Sequence, residues 1–101
     1  MQRIHALYYL NNMETRYQTL ATLYELVKDA PNPTQLQCIP RQLILLMHFD
    51  WTRIYSHLQT LQEEGLVVIS QADNIQFSIT QKGMIKVGLL EIMALNKAVE
   101  K

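Results

Sequence analysis

PRQLILLMHFDWTRIYSHLQTLQEEGLVVIS, residues 40–70, and QADNIQFSITQKGM, residues 71–84, decide the fold of this chain. Pro40 suits the first position of a helix, where its missing N–H is not needed. Asp50 can cap a second helix by accepting hydrogen bonds from free backbone amides, and Gly65 can end that helix in the left-handed conformation. The stretch therefore predicts two helices joined by a short turn, followed by further elements after Gly65.

The second of these helices, residues 51–64, is predicted to have one apolar and one polar face. Ile54, Leu58 and Leu61 stand at i, i+4 and i+7, a spacing that places them together on the inner face. The opposite face is polar and mostly uncharged, and it comprises Thr52, Ser56, Gln59 and Glu63, flanked by Arg53, Tyr55 and Thr60. Trp51 is expected to pack at the start of the helix, and His57 to lie at the boundary of the inner face.

A β-hairpin and a final helix are predicted after Gly65. The runs 66–70 and 75–80 are rich in β-branched residues and are joined by the four residues 71–74. Apolar Ile75, Phe77 and Ile79 alternate with polar residues, which indicates one buried face. Thr80 is placed to cap a helix that continues to about residue 99.

The first forty residues predict two helices and a short strand. Residues 1–12 have the apolar spacing of a short amphipathic helix, and residues 14–30 carry a longer stripe that ends before two prolines. Residues 34–39 alternate weakly, so a short strand paired with the hairpin is expected. In the helix that begins at Pro40, we expect four side chains to be buried: Leu43, Ile44, Leu46 and Met47.

Two motifs connect this pattern to a known family. The close of the second helix, LQTLQEEGLV (58–67), and the exit from the hairpin, ITQKG (79–83), resemble winged helix-turn-helix transcriptional regulators of the MarR and PadR type. The resemblance covers about the last two thirds of the chain. It implies an α+β winged-helix fold, helix 51–64 as the element that enters the DNA major groove, and a dimer formed by the terminal helices.

The polar face of helix 51–64 has the side-chain chemistry of a DNA-reading surface. Gln can pair with adenine, Arg with guanine, and Ser or Thr with bases or phosphates. Arg41 and Lys82 are candidates for phosphate contacts. The predicted DNA-binding residues are Arg41, Thr52, Arg53, Tyr55, Ser56, Gln59, Thr60 and Lys82. An exposed polar face without a partner remains the alternative interpretation.

The charge distribution keeps a second function open. Nine basic residues balance nine acidic residues, and the predicted tip of the hairpin, residues 71–74, contains Asp73 but no base. A protein whose affinity comes from phosphate neutralisation is usually more basic. A winged-helix module that binds another protein and no nucleic acid is therefore the alternative, and an accessory protein of plasmid or phage replication or partition is a third possibility.

The final helix predicts assembly into a homodimer. Apolar side chains occupy almost every sector of residues 81–99, whereas a surface helix of a monomer buries only one stripe. Two-fold symmetry would also present two reading helices to a palindromic site. The predicted interface comprises Ile4, Leu7, Tyr8, Val87, Leu90, Met93 and Ala94. Coverage of the extra face by the N-terminal helix of the same chain is the alternative.

Composition and motifs argue against several other classes. The sequence predicts one domain over residues 1–101: an N-terminal helix (1–12), a winged-helix core (14–80) and a dimerisation helix (81–99). No apolar run approaches the ~20 residues that cross a bilayer, and no secretion signal is seen, so we expect a cytosolic protein.

Cys38 is expected to act as a small buried hydrophobe. The histidines lack metal-ligand spacing and no catalytic motif is present, so neither an enzyme nor a cofactor is predicted, and an effector is not identified.

Overall fold

The computed structural model describes residues 14–99, including the side chains of residues 14–95. Four α-helices and a two-stranded sheet follow in the predicted order. They are α1 (Thr15–Val27), α2 (Pro40–Ile44), α3 (Trp51–Glu63), β1 (Val67–Gln71), β2 (Ile75–Ile79) and α4 (Gln81–Val99), with a 3-10 helix at Pro33–Gln35. The α+β class and the helix, turn, helix and wing arrangement are confirmed. The helix predicted for residues 1–12 lies outside the described residues.

The sheet is an antiparallel hairpin with one additional backbone bridge. Val67 on β1 pairs with Ile79 on β2, and the register continues to the pair formed by Gln71 and Ile75. Cys38 pairs with Phe77 through two backbone hydrogen bonds of 2.8 and 2.9 Å. The strand predicted for residues 34–39 is thus reduced to this one bridge, because Pro33–Gln35 forms a 3-10 helix that removes the first residues from the sheet.

The core lies where the four helices meet the inner face of the hairpin. The three residues predicted for the inner face of α3 are fully buried, as are aliphatic side chains of α1, α2 and α4 and the aromatic ring of β2. The central buried residues are Leu20, Leu23, Val27, Leu43, Ile54, Leu58, Leu61, Phe77, Ile79 and Val87. Trp51 packs at the start of α3 as predicted, with its ring stacked on Phe77 at a centroid distance of 6.5 Å. Cys38 is buried in this core, also as predicted.

Helix α2 is shorter and less buried than the sequence predicts. Leu43 is fully buried and Met47 packs against the core, but Ile44 and Leu46 are 40% and 58% exposed. The expected burial of Ile44 and Leu46 is therefore wrong. A helix of one turn presents only one narrow stripe to the core, and Leu43 occupies it. Met47 follows the helix, and its backbone N–H donates a hydrogen bond of 3.0 Å to the Leu43 carbonyl oxygen.

Three predicted helix caps are present. Asp50 Oδ1 accepts a hydrogen bond of 3.0 Å from the backbone N–H of Arg53. Gly65 has a φ of 79° and ends α3. The Thr80 hydroxyl oxygen accepts a hydrogen bond of 2.9 Å from the backbone N–H of Gly83 in the first turn of α4. Asp50 therefore caps the start of α3, whereas Gly65 and Thr80 mark the two ends of the segment that separates α3 from α4.

Helix α4 divides into a core-facing and an exposed side. Val87 is 1% exposed, which corrects its assignment to a dimer interface, because it already belongs to the core of its own subunit. At 100° per residue, Leu90 and Ala94 share the side of Val87, and both are half-buried. The exposed side carries Ile85, Leu89, Ile92, Met93 and Leu95, each more than 40% exposed. Within residues 14–99, no helix combines the length and hydropathy needed to cross a bilayer.

Candidate nucleic-acid interface

Helix α3 presents a continuous polar surface to solvent. Its inner residues Ile54, Leu58 and Leu61 are fully buried, so packing fixes the rotation of the helix about its axis. The same rotation turns the other side outward. Five of the predicted DNA-binding residues are brought together there and are exposed: Thr52, Arg53, Ser56, Gln59 and Thr60. We call these five residues the α3 outer face.

Arg53 is the cation of the α3 outer face, and it lies in the first turn of the helix. Its guanidinium carbon is 4.7 Å from the ring centroid of Phe49, which limits the directions that the side chain can take. Its backbone N–H is engaged by Asp50. The Asp50 carboxylate already occupies the positive end of the helix dipole, so Arg53 is the group on this face that can attract a further anion.

The hairpin, which forms the wing of the fold, is tied to α3 by two glutamine side chains. Gln71 Nε2 donates a hydrogen bond of 2.6 Å to the Tyr55 hydroxyl, and the backbone N–H of Ile69 donates one of 2.7 Å to Gln62 Oε1. Tyr55 is half-buried, its ring contacts the Trp51 ring, and its hydroxyl oxygen accepts the hydrogen bond from Gln71. Neither link was predictable from the sequence, because glutamines on exposed faces have no pattern that identifies a partner.

The wing tip carries negative charge and no positive charge. No Lys or Arg occurs between Arg53 and Lys82, and Asp73 is exposed at the tip. Glu63 is also exposed, at the end of α3. Because phosphate contacts come mainly from Lys and Arg, this wing is poorly suited to bind the DNA backbone.

Glu64 adds little to this negative surface, since its charge is compensated locally. Arg16 Nε donates a hydrogen bond of 2.6 Å to one carboxylate oxygen, and the Tyr17 hydroxyl donates one of 2.8 Å to the other. Desolvation raises the pKa of the Glu64 carboxyl, but these hydrogen bonds outweigh it and hold the pKa below its usual value of 4.5. Glu64 is therefore an ionised, paired carboxylate.

The two predicted phosphate-binding cations lie apart from the α3 outer face or at its far end. Lys82 lies over Gly65, where a Cβ added to the glycine would be 3.6 Å from Lys82 Nζ. This position is about 18 Å along the helix from Arg53, at 1.5 Å per residue. The Lys82 ammonium there complements the negative end of the α3 dipole. Arg41 is exposed in the first turn of α2.

The described part of the chain offers no metal site, and it places His57 away from the α3 outer face. Among residues 14–99, no group of three or more His, Cys, Asp or Glu side chains could hold a metal ion. His57 is buried at 9% exposure, deeper than the predicted boundary position. It faces α1 and is not part of the α3 outer face.

Comparisons with known proteins identify the fold but not a family. No protein-family model and no curated protein matches the sequence. Solved structures do match. The ST1889 protein of the archaeon Sulfolobus tokodaii has a TM-score of 0.57 at 15% identity, over 96% of this chain and 90% of that protein.

Two bacterial regulators are also similar in structure. BpsR of Bordetella bronchiseptica, whose DNA binding is regulated by 6-hydroxynicotinic acid, has a TM-score of 0.63 at 11% identity, over 98% of this chain and 74% of that protein. A probable transcriptional regulator from Pseudomonas aeruginosa has a TM-score of 0.60 at 19% identity, over 95% and 74%. At this level of identity the likeness establishes a common fold. The chain has the winged-helix fold of these transcriptional regulators.

Proposed function

We propose that this protein binds duplex DNA sequence-specifically as a homodimeric transcriptional regulator, with α3 in the major groove. The observation that carries the proposal is the α3 outer face: five exposed donors and acceptors on a helix whose rotation is fixed by the core. A helix in the second position of a helix-turn-helix commonly occupies the major groove. The winged-helix fold shared with transcriptional regulators favours the same function, and a non-enzymatic one.

The α3 outer face is suited to reading bases more than to attracting phosphates. Gln59 can donate to and accept from adenine, and Arg53 can make two hydrogen bonds to guanine. Ser56 and Thr60 add short hydroxyl groups that can contact either bases or phosphates. With few cations near this face, a smaller share of the affinity should come from counterion release than in a basic DNA-binding protein.

Dimerisation supports this function by providing a second reading helix. The exposed side of α4 carries five large apolar residues, Ile85, Leu89, Ile92, Met93 and Leu95. A contiguous apolar surface of this kind is typical of an interaction site. A two-fold contact through this stripe, with a contribution from Ile4, Leu7 and Tyr8, would bury it and produce the symmetry of a palindromic site.

Selection from a library of random duplexes tests the proposal. The protein is bound to the library at low salt, bound DNA is recovered and amplified, and the enriched sequences are then titrated with protein at several salt concentrations. We expect an inverted repeat to be enriched, with specific binding well above binding to an unrelated duplex. No enrichment, together with no binding to bulk DNA at low salt, would reject the proposal.

A protein-binding winged helix is the second candidate, and one further observation favours it. Besides the acidic wing tip, an exposed aliphatic surface surrounds α2, formed by Leu36, Ile39, Ile44, Leu45 and Leu46. Leu45 is 72% exposed, the highest value among the large apolar residues described. DNA offers little apolar surface to cover such side chains. If the selection on DNA fails, this surface becomes the principal candidate interface.

A further inference from the structure

Helix α4 begins in direct contact with the end of α3. The Thr80 hydroxyl donates a hydrogen bond of 2.8 Å to the carbonyl oxygen of Gly65, and its backbone N–H donates one of 3.0 Å to the carbonyl oxygen of Leu66. The same hydroxyl accepts a bond from the N–H of Gly83. One side chain thus connects the residue that ends α3 to the first turn of α4.

The contact at Gly83 is formed by backbone on both sides. A Cβ added to Gly83 would lie 2.2 Å from the Leu66 carbonyl oxygen and 2.8 Å from Ile79 Cγ1. Leu66 in turn donates its N–H to the carbonyl oxygen of Leu61 in the last turn of α3, at 2.9 Å. The first turn of α4 thus contacts the backbone of the segment that follows α3, and a change in the angle between the two helices would disturb the hydrogen bonds of Thr80 and Leu66.

A second connection lies beside the first. Glu64 is held by Arg16 and Tyr17 of α1, and Lys86 of α4 lies over the Tyr17 ring with Nζ 4.9 Å from its centroid. The end of α3, the start of α1 and the second turn of α4 are therefore joined by hydrogen bonds, an ion pair and a cation–π contact. This group resists rotation of α4 about the Thr80 contact.

We propose that this α3–α4 joint sets the distance and angle between the two reading helices of the dimer, so that the protein selects palindromic DNA by half-site spacing. The inference rests on the proposed function, in which α4 forms the dimer and α3 reads the groove. If α4 is fixed to its partner, then the orientation of α3 on α4 determines where the second α3 meets the DNA. Thr80 and Gly83 are the positioning residues, and they contact no base.

Binding to duplexes of altered spacing tests this inference. The probes are palindromes built from two inverted copies of the half-site that selection enriches, at the enriched spacing and with one, two or three base pairs inserted or removed. Two base pairs displace the second half-site by about 7 Å and rotate it by about 70°. We expect the wild-type protein to lose at least about tenfold in affinity at that change, about 1.4 kcal/mol.

The positioning role is separated from a structural role by variants of Thr80. Thr80→Val removes the hydroxyl at nearly constant volume, and Thr80→Ser retains it. We expect Thr80→Val to reduce the spacing preference at least threefold, while Thr80→Ser keeps the wild-type profile and both bind an isolated half-site as the wild type does. If Thr80→Val does not fold, Glu64→Gln, which weakens the second connection, is expected to reduce the preference in the same way.

The outcomes separate this inference from the function on which it rests. Selection that enriches no DNA rejects both. Selection that enriches a single half-site without a repeat rejects DNA binding as a dimer, and with it the positioning role of the α3–α4 joint. If a palindrome is enriched but the wild-type protein binds every half-site spacing equally well, only the positioning role of the α3–α4 joint is rejected. The same conclusion follows if Thr80→Val prefers one spacing as strongly as the wild type does.

Discussion

The Thr19 hydroxyl oxygen and His57 Nδ1 lie 2.7 Å apart in the core, and this hydrogen bond joins α1 to α3. Thr19 is fully buried and His57 is 9% exposed. The Phe49 ring meets the imidazole edge-on at a centroid distance of 5.3 Å. A polar pair in this position is directional, so it constrains how α3 sits on α1 in a way that aliphatic packing alone does not.

The environment of His57 predicts a loss of stability in mild acid. Burial, followed by the charges of Arg53 and Arg16, lowers the pKa of His57 below its usual value of 6.5. As the pH falls below 6.5, the unfolded chain binds a proton that the folded chain does not, so the free energy of unfolding decreases until the pH reaches the lowered pKa. Urea unfolding at about pH 7.5 and about pH 5.5 measures this change.

His57→Gln is the matched variant for this pH prediction. It can keep a hydrogen bond to Thr19 but has no proton to gain, so the pH-dependent part should shrink relative to the wild type. Glu64, whose pKa is lowered, contributes only below its usual value of 4.5 and so stays outside the measured range. An equal loss of stability in both proteins would show that His57 is not the titrating group.

Two glycines of α4 should respond in opposite ways to alanine. Gly83→Ala should destabilise strongly, because its Cβ would collide with the Leu66 backbone. A Cβ at Gly88 meets nothing within 4 Å, so Gly88→Ala should stabilise the helix by up to ~1 kcal/mol. Urea unfolding of both variants at the same protein concentration compares them directly. Equal effects of the two substitutions would contradict the close contact between α4 and the end of α3.

Dimerisation is expected to depend on the exposed side of α4. Light scattering at micromolar concentration should give the wild-type protein twice the chain mass of 11.8 kDa. Leu89→Glu places a charge in the apolar stripe and should give a monomer. Gln37→Glu adds the same charge at an exposed position outside α4 and should remain dimeric. A monomeric wild type, or a Leu89→Glu variant that stays dimeric, would exclude this interface.

The acidic wing tip is expected to limit non-specific DNA binding. Asp73→Lys should raise the affinity for an unrelated duplex and steepen its salt dependence by about one unit, because a new cation near the backbone can engage one more phosphate. Asp29→Lys makes the same charge change at an exposed position in the turn after α1 and serves as the control. An unchanged salt slope in Asp73→Lys would mean that the tip does not approach DNA.

The sequence predicted those features that depend on local chemistry. Asp50, Gly65 and Thr80 act as caps because each has a side chain or backbone preference that needs no distant partner. The inner face of α3 followed from periodicity alone. The exposure of Ile44 and Leu46 and the core position of Val87 were not predictable in this way. They depend on where a helix stops and on which of its sides meets the core, and both are set by tertiary packing.

The same distinction between local chemistry and tertiary packing applies to the candidate site. Helical spacing placed the five residues of the α3 outer face together, and the structure does the same. Lys82, a predicted phosphate contact, lies over Gly65, because α4 starts at the far end of α3. The bond between Tyr55 and Gln71 joins residues sixteen apart in sequence, and only the register of the wing brings them into contact.

Binding of the wild-type protein and of Gln59→Ala to the selected duplex, titrated with salt, tests whether α3 reads the DNA sequence. Gln59 is an exposed residue of the α3 outer face and is not part of the core, so its truncation should leave folding intact. We expect a loss of about 1 to 3 kcal/mol at the selected site, with little change on an unrelated duplex. Gln37→Ala, outside α3, should bind both duplexes as the wild type does. Equal binding of wild type and Gln59→Ala to the selected site would contradict a reading role for this residue, and failure of the wild type to prefer any duplex would contradict the function itself.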